Sequence, residues 1–194
     1  MKLGRIALAT ALALIAGCGT SPKERYYTLS AEEAPAGAAP AKAAYTVAVG
    51  PATVPAVVDR FGIVLRVEAN RVEVNDLHRW AEPLRRAIPR VVAANLAREL
   101  GNARVIVYPP SGSEVADYRV FLDVSRFESE AGKAVTLEVA WSIRRSAGGE
   151  LRTGYSVVRE PTQGKDYEAL VAAHSRALDT VSREIADALR AMSR

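Results

Sequence analysis

Residues 166–189 read DYEALVAAHSRALDTVSREIADAL and carry the strongest helical pattern in the chain. Apolar residues recur there at steps of three and four, while charged residues take the remaining positions, which is typical of an amphipathic helix packed on a core. Asp166 stands where an N-cap belongs. We predict a helix whose apolar stripe consists of Tyr167, Leu170, Val171, His174, Leu178, Val181, Ile185 and Leu189.

Three alternating segments precede this helix, at residues 118–124, 135–143 and 151–157. Alternation with a period of two is typical of strands that have one buried and one solvated face. The connectors at residues 129–133 and 146–149 contain glycine and polar residues suited to hairpins. We therefore predict an antiparallel meander.

Upstream, we expect strands at Tyr26–Leu29 and Tyr45–Val49, the latter ending at Gly50-Pro51, and then a hairpin over residues 63–74. A second helical pattern runs over residues 77–100, with Asn75-Asp76 as its N-cap. Two prolines interrupt it, and an interior proline costs about 3 kcal/mol. We predict a helical turn over residues 77–86, a restart with Pro89 in the first turn of the main helix, and a short strand over residues 105–108.

The order strands, helix, strands, helix predicts an α+β fold. We expect a two-layer domain over residues 26–194, in which two main helices pack on one face of a mostly antiparallel sheet. A chain of this length is sufficient for one core.

The N-terminus begins with Lys2 and Arg5 and continues as an uncharged apolar run, Ile6–Ala16, that ends at Gly17-Cys18. This is the layout of a signal peptide, and the run is too short to span a bilayer. Cys18, the sole cysteine, closes a pattern that resembles the lipobox of bacterial lipoproteins. The resemblance implies cleavage after residue 17, diacylglyceryl and N-acyl groups on Cys18, and a tether over residues 18–25. The alternative is an ordinary secretory signal that happens to contain a cysteine. Gly19 in place of Asp favours the outer membrane by the sorting rule of Gram-negative lipoproteins.

The composition argues against several classes of function. The formal net charge of +4 falls to about +2 once residues 1–17 are removed, and no basic run is present, so we expect no nucleic-acid partner. A single cysteine leaves no disulfide and no thiolate metal site. His78 and His174 have no metal-site spacing and no nucleophile motif accompanies them, so we predict no enzyme, no metal and no noncovalent cofactor. His174, on the apolar stripe, is interpreted as a core histidine.

Several segments resemble the ABC-type transport auxiliary lipoproteins of the PqiC/YmbA type over nearly the whole mature chain. The most specific is His78-Arg79-Trp80-Ala81-Glu82-Pro83-Leu84; the others are residues 26–29, 49–51, 54–55, 59–60, 75–77, 117–120 and 166–167. The resemblance implies a non-enzymatic lipoprotein on the periplasmic face of the outer membrane. It also implies an MCE-domain tunnel protein as partner, a homo-oligomeric ring, and a role in lipid transport between membranes.

On that basis the candidate contact residues for the tunnel protein are Val54, Pro55, Val57, Asp59, Arg60, His78, Arg79 and Trp80. The alternative for Trp80 is a place in the core, and for Asp59 and Arg60 a local ion pair. Two other functions remain open: a structural or assembly lipoprotein for an outer-membrane barrel and, more weakly, a lipid or cell-wall hydrolase.

Overall fold

The computed structural model describes residues 22–31, 44–108 and 115–193. The signal-peptide prediction and Cys18 lie outside these residues. The elements are, in chain order, β1 (Arg25–Tyr27), β2 (Tyr45–Thr53), β3 (Gly62–Glu68), β4 (Arg71–Trp80), α1 (Leu84–Leu100), β5 (Ala103–Val107), β6 (Tyr118–Glu130), β7 (Ala134–Arg145), β8 (Leu151–Pro161) and α2 (Tyr167–Met192). The α+β prediction is confirmed.

The strands form two mixed sheets, one of three strands in the order β1-β4-β3 and one of five in the order β5-β2-β6-β7-β8. The predicted meander is confirmed, since β6, β7 and β8 pair antiparallel along almost their whole length. The N-terminal strands add parallel pairs: β2 lies between β5 and β6 and is parallel to both, and β1 is parallel to β4. Strand β2 also runs on to Thr53, past the expected end at Gly50-Pro51, through a cis peptide bond between these two residues.

Helices α1 and α2 pack on each other and on the five-stranded sheet. Alternate residues of β6 and β7 face them, which is why Val120, Leu122, Val139 and Ile143 are almost fully buried. The helices contribute Leu96, Leu178 and Ile185, each 0% exposed. Burying such side chains contributes about 1.5–3 kcal/mol each, so this layer stabilises the frame that positions the loops.

The prediction of a helical turn over residues 77–86 was wrong for residues 77–83, since helix α1 begins at Leu84. Leu77–Trp80 complete strand β4, where His78 pairs with Arg25 and Trp80 pairs with Tyr27. The partner strand β1 lies about fifty residues earlier in the chain, so a local pattern contains no sign of it. Asn75-Asp76 is therefore not a helix cap.

The predicted restart at Pro89 was also wrong, because Pro89 lies inside one continuous helix that has Pro83 at its N-cap position. The Pro89 ring is buried, and an added Cβ on Gly50 of β2 would approach Pro89 Cβ to 3.3 Å. Close packing on β2 thus offsets the backbone hydrogen bond that proline cannot make.

Helix α2 agrees with its prediction. The Asp166 carboxylate accepts a hydrogen bond from the Ala169 N–H at 2.8 Å, which caps the first turn. His174 is 0% exposed, stacks on Phe127 with ring centroids 3.9 Å apart, and its Nε2 lies 2.8 Å from Ser129 Oγ. The interpretation of His174 as a core histidine is confirmed.

Candidate partner-binding surface

The segment between β2 and β3 forms a compact turn on the surface. The Pro55 carbonyl accepts hydrogen bonds from the N–H groups of Val58 and Asp59, at 3.0 and 3.1 Å. Val58 is buried in the core and fixes the segment from below, whereas Val57 is 45% exposed. Proline keeps this stretch out of the sheet and limits its freedom. The turn therefore holds an exposed apolar side chain in a fixed place.

The next residues add a rigid aromatic ring. Phe61 is 48% exposed, and its carbonyl accepts the Trp80 N–H at 2.7 Å. The Arg79 guanidinium lies 5.8 Å from the Phe61 ring centroid, a cation–π arrangement. Arg79 is itself fixed by Glu24, 3.0 Å away. Strand β4 thus positions a surface aromatic at the start of β3.

A depression of about 130 Å³ opens beside this ring and is lined by Asp59, Arg60, Phe61, Pro83 and Arg85, which together we term the Phe61 patch. Asp59 and Arg85 form an ion pair at 2.7 Å across it. Arg60 is exposed and has no acidic partner in the described part of the chain. The local ion pair considered for Asp59 is present, although it joins Arg85 and not Arg60.

Contacts among Glu24, Tyr26 and Arg79 determine the ionisation of side chains near β1. Tyr26 donates its hydroxyl hydrogen to Glu24, and this bond, with Arg79 as a further cause, holds the pKa of the Glu24 carboxyl below its usual value. The same bond raises the pKa of Tyr26. Glu24 is therefore ionised at neutral pH, and it ties the segment that follows Cys18 to strand β4.

His78 lies in a different environment. Its ring stacks on Tyr167 with centroids 3.8 Å apart, and its Nδ1 is 2.6 Å from the Tyr27 hydroxyl. Asn75 donates a hydrogen bond to the Tyr167 hydroxyl at 2.9 Å. The group joins β1, β4 and the start of α2, so His78 has a clear structural role in addition to any contact with a partner.

The seven predicted contact residues other than His78 divide into three sets. Val57, Asp59 and Arg60 lie on the surface turn, with Val54 and Pro55 at its base. Arg79 reaches the same surface through Phe61. Trp80 is 4% exposed and packs edge-on against Phe127, so it has almost no surface to offer a partner.

Sequence reasoning did not identify Phe61, Pro83 or Arg85 as contact residues. Phe61 directly follows Asp59-Arg60 in the printed sequence, and an aromatic beside an arginine is typical of binding hot spots. That signal was available. No comparable signal in the sequence pointed to Arg85, because its contact with Asp59 depends on the packing of α1 beside the turn.

The described residues contain no group of side chains that could hold a metal ion, and the contact between Ser129 and His174 is buried. No group of His, Cys, Asp and Glu in residues 22–31, 44–108 and 115–193 could hold a metal ion. Ser129 and His174 are in contact, but they are 3% and 0% exposed, so no substrate reaches them. Burial lowers the pKa of His174 to about 3, and its Nδ1 has no hydrogen-bond partner within the described segments to orient it as a base.

Within the same described segments, no helix has the length and apolar character needed to cross a bilayer.

Comparison with solved structures identifies the fold. A crystal structure of an uncharacterised protein is 20% identical, covers 86% of this chain and 99% of that chain, and has a TM-score of 0.71. A Xanthomonas campestris protein of the DUF330 family is 21% identical, covers 83% of this chain and 92% of that chain, and has a TM-score of 0.65. No curated protein matches this chain.

A family model described as the ABC-type transport auxiliary lipoprotein component matches residues 27–186. That family is a lipoprotein component of transport systems and not an enzyme family, so membrane association and a transporter partner follow at this level. Because the match spans most of the sequence, from β1 to within α2, the chain belongs to the ABC-type transport auxiliary lipoprotein family.

Proposed function

We propose that this chain is a non-enzymatic outer-membrane lipoprotein subunit of an MCE-type, ABC-associated lipid transport system. In this role it docks a periplasmic tunnel protein at the outer membrane. The observation that carries the proposal is the family match together with the lipobox-like Leu14–Cys18. The family match indicates a role in a transport system, and the lipobox-like stretch predicts a covalent lipid anchor.

The length of the intervening chain limits the distance between the anchor and the domain. The described chain begins at Pro22, four residues after Cys18, and four extended residues span about 13 Å. Acyl chains contribute about 0.8 kcal/mol per buried methylene, so two or three chains hold a protein at the membrane durably. Acylated Cys18 would therefore keep the domain beside the inner leaflet of the outer membrane, on its periplasmic face.

Docking would lower the free-energy cost of moving a lipid between the tunnel protein and the membrane. A phospholipid tail that crosses water costs about 0.8 kcal/mol per exposed methylene. A tunnel protein held against the bilayer removes that barrier, because the lipid passes from one apolar environment to the next. The lipoprotein in this scheme is a rigid collar, which agrees with the fixed surface turn that includes Val57, Asp59 and Arg60.

We further propose a homo-oligomeric ring. Strand β8 is an edge of the five-stranded sheet, and its outward residues Leu151, Tyr155 and Val157 are 53–62% exposed. An open edge with apolar side chains is a surface that proteins tend to cover. Native mass spectrometry of the detergent-extracted protein should detect one closed oligomer, and a monomer at micromolar concentration would contradict the ring.

Co-purification tests the function. The full-length protein, extracted from membranes in mild detergent after crosslinking, should recover an MCE-domain protein. Recovery of an outer-membrane barrel instead would support the alternative of a structural or assembly lipoprotein. The membrane-anchored protein with His174, the histidine in contact with Ser129, replaced by glutamine should keep lipid transport, and a loss of transport with unchanged folding would argue for catalysis.

A further inference from the structure

We infer that the Phe61 patch is the docking site for an acidic segment of the partner protein, which places one apolar side chain in the depression beside Phe61. This inference rests on the proposed function, since it specifies the chemistry of the tunnel protein's contact segment.

The first argument is the balance of charge around the depression. Four arginines, Arg60, Arg79, Arg85 and Arg86, belong to the patch or to its immediate neighbours in β4 and α1. Asp59 and Glu24 neutralise two of them, each through one ion pair. Of the other acidic neighbours, Glu82 pairs with Arg90, and the exposed Asp76 of β4 offsets one further positive charge. The first turn of α1 contains no acidic residue, so its arginines add to the positive end of the helix dipole. A surplus of positive charge remains and favours an acidic partner.

The second argument is the shape and rigidity of the apolar part. The Phe61 ring is about half exposed, yet its backbone is bonded to Trp80 and its face is covered by Arg79. A side chain fixed in this way loses little conformational entropy when a partner binds. The depression of about 130 Å³ is the size of a side chain and not of a lipid. Aromatic and arginine side chains around a pocket are typical of interface hot spots.

Concavity distinguishes a protein partner from a membrane. Surfaces that bind a bilayer insert protruding apolar residues between headgroups. Here the apolar ring forms the wall of a depression, and the paired carboxylate of Asp59 forms another part of it. An acidic peptide segment with one apolar residue matches both features.

The test measures binding of the full-length protein in detergent micelles to the purified periplasmic region of its MCE-domain partner. The variants are Phe61→Ala and Arg60→Glu, and the matched control is Arg71→Glu. Arg71 is exposed beside the turn of the β3–β4 hairpin, where it pairs with Glu68, at the end of the hairpin opposite Phe61. Each variant is checked by circular dichroism. Vesicles of phosphatidylethanolamine and phosphatidylglycerol form a second arm, with the unacylated Cys18→Ser chain.

We expect Phe61→Ala and Arg60→Glu each to weaken partner binding by about tenfold or more, as hot-spot substitutions do. Arg71→Glu should change it by less than about twofold, and binding by the wild-type protein should weaken with added salt. Partner binding that is insensitive to both patch variants would overturn this inference and leave the proposed function standing. Vesicle binding that depends on the same residues would assign the patch to lipid and overturn it. Absence of any partner binding would overturn both.

Discussion

His174 gives the sharpest test of the core, through the dependence of stability on pH. Its ring lies between Phe127 and Ser129 at 0% exposure, and burial lowers its pKa from 6.5 to about 3. The unfolded chain therefore binds more protons than the folded chain between pH 3 and 6.5. Stability should fall as the pH drops through that window.

The magnitude follows from the two pKa values. At pH 5 the solution is about 1.5 units below the unfolded pKa of the imidazole, and each unit is worth about 1.36 kcal/mol. Because of His174, the free energy of unfolding should thus be about 2 kcal/mol lower at pH 5 than at pH 7. Domains are stable by about 5–15 kcal/mol in total, so this loss is readily measured.

The assay is urea denaturation of the Cys18→Ser mature chain at pH 7 and pH 5, compared with the same chain carrying His174→Gln. Glutamine does not titrate, so the variant controls for every other ionisable group. The stability gap between the two chains should shift by about 2 kcal/mol in favour of His174→Gln at pH 5. An unchanged gap, or an NMR titration of His174 with a midpoint near 6.5, would refute the reasoning.

Three further predictions concern single contacts in the frame. Gly154→Ala would place a Cβ in steric overlap with the Trp141 ring, and this overpacking should cost about 1–3 kcal/mol and shift the tryptophan fluorescence. Asp166→Ala removes the cap of α2 and should cost about 1 kcal/mol in urea denaturation. Asp179→Ala removes a buried carboxylate that pairs with Arg98; because Arg98 keeps its ion pair with Glu99, the loss of stability should be about 2 kcal/mol.

Two control substitutions accompany these variants, one for Gly154→Ala and one for the two aspartate variants. Thr153→Ala, on the exposed neighbour of Gly154, and Asp187→Ala, on the outer surface of α2, should both stay within about 0.5 kcal/mol of the parent chain. Losses in the controls as large as those in the three variants would mean that the named contacts are not the cause.

Regular patterns predicted much of the fold. The stripe of α2 and the alternation of β6 to β8 are local and repeat over many residues, and each segment adopted the structure that its period indicates. The helix prediction for Leu77–Trp80 failed because the conformation of this stretch depends on pairing with β1, which is distant in the chain. The predicted restart of the helix at Pro89 failed because packing of Pro89 on Gly50 outweighed the free-energy cost of a proline inside a helix. In both cases a tertiary contact overrode local preference.

The candidate surface was predictable only in part. The family resemblance named Val57, Asp59 and Arg60 as contact residues, and all three lie on the surface turn before β3. The contact of Arg85 with Asp59 depends on the packing of α1 beside that turn. The exposure of Phe61 depends on the pairing of β3 with β4, which brings Arg79 over the ring. Neither relation has a periodic signature. Trp80 illustrates the converse, since a tryptophan in a charged stretch proved to be core.

The state of Cys18 tests the central claim most directly. The protein should be recovered from the outer-membrane fraction of cells, and mass spectrometry of its N-terminal peptide should find Cys18 as the first residue, carrying a diacylglyceryl group on its sulfur and an acyl group on its amine. An unmodified thiol on a protein recovered from the soluble periplasm would contradict the account.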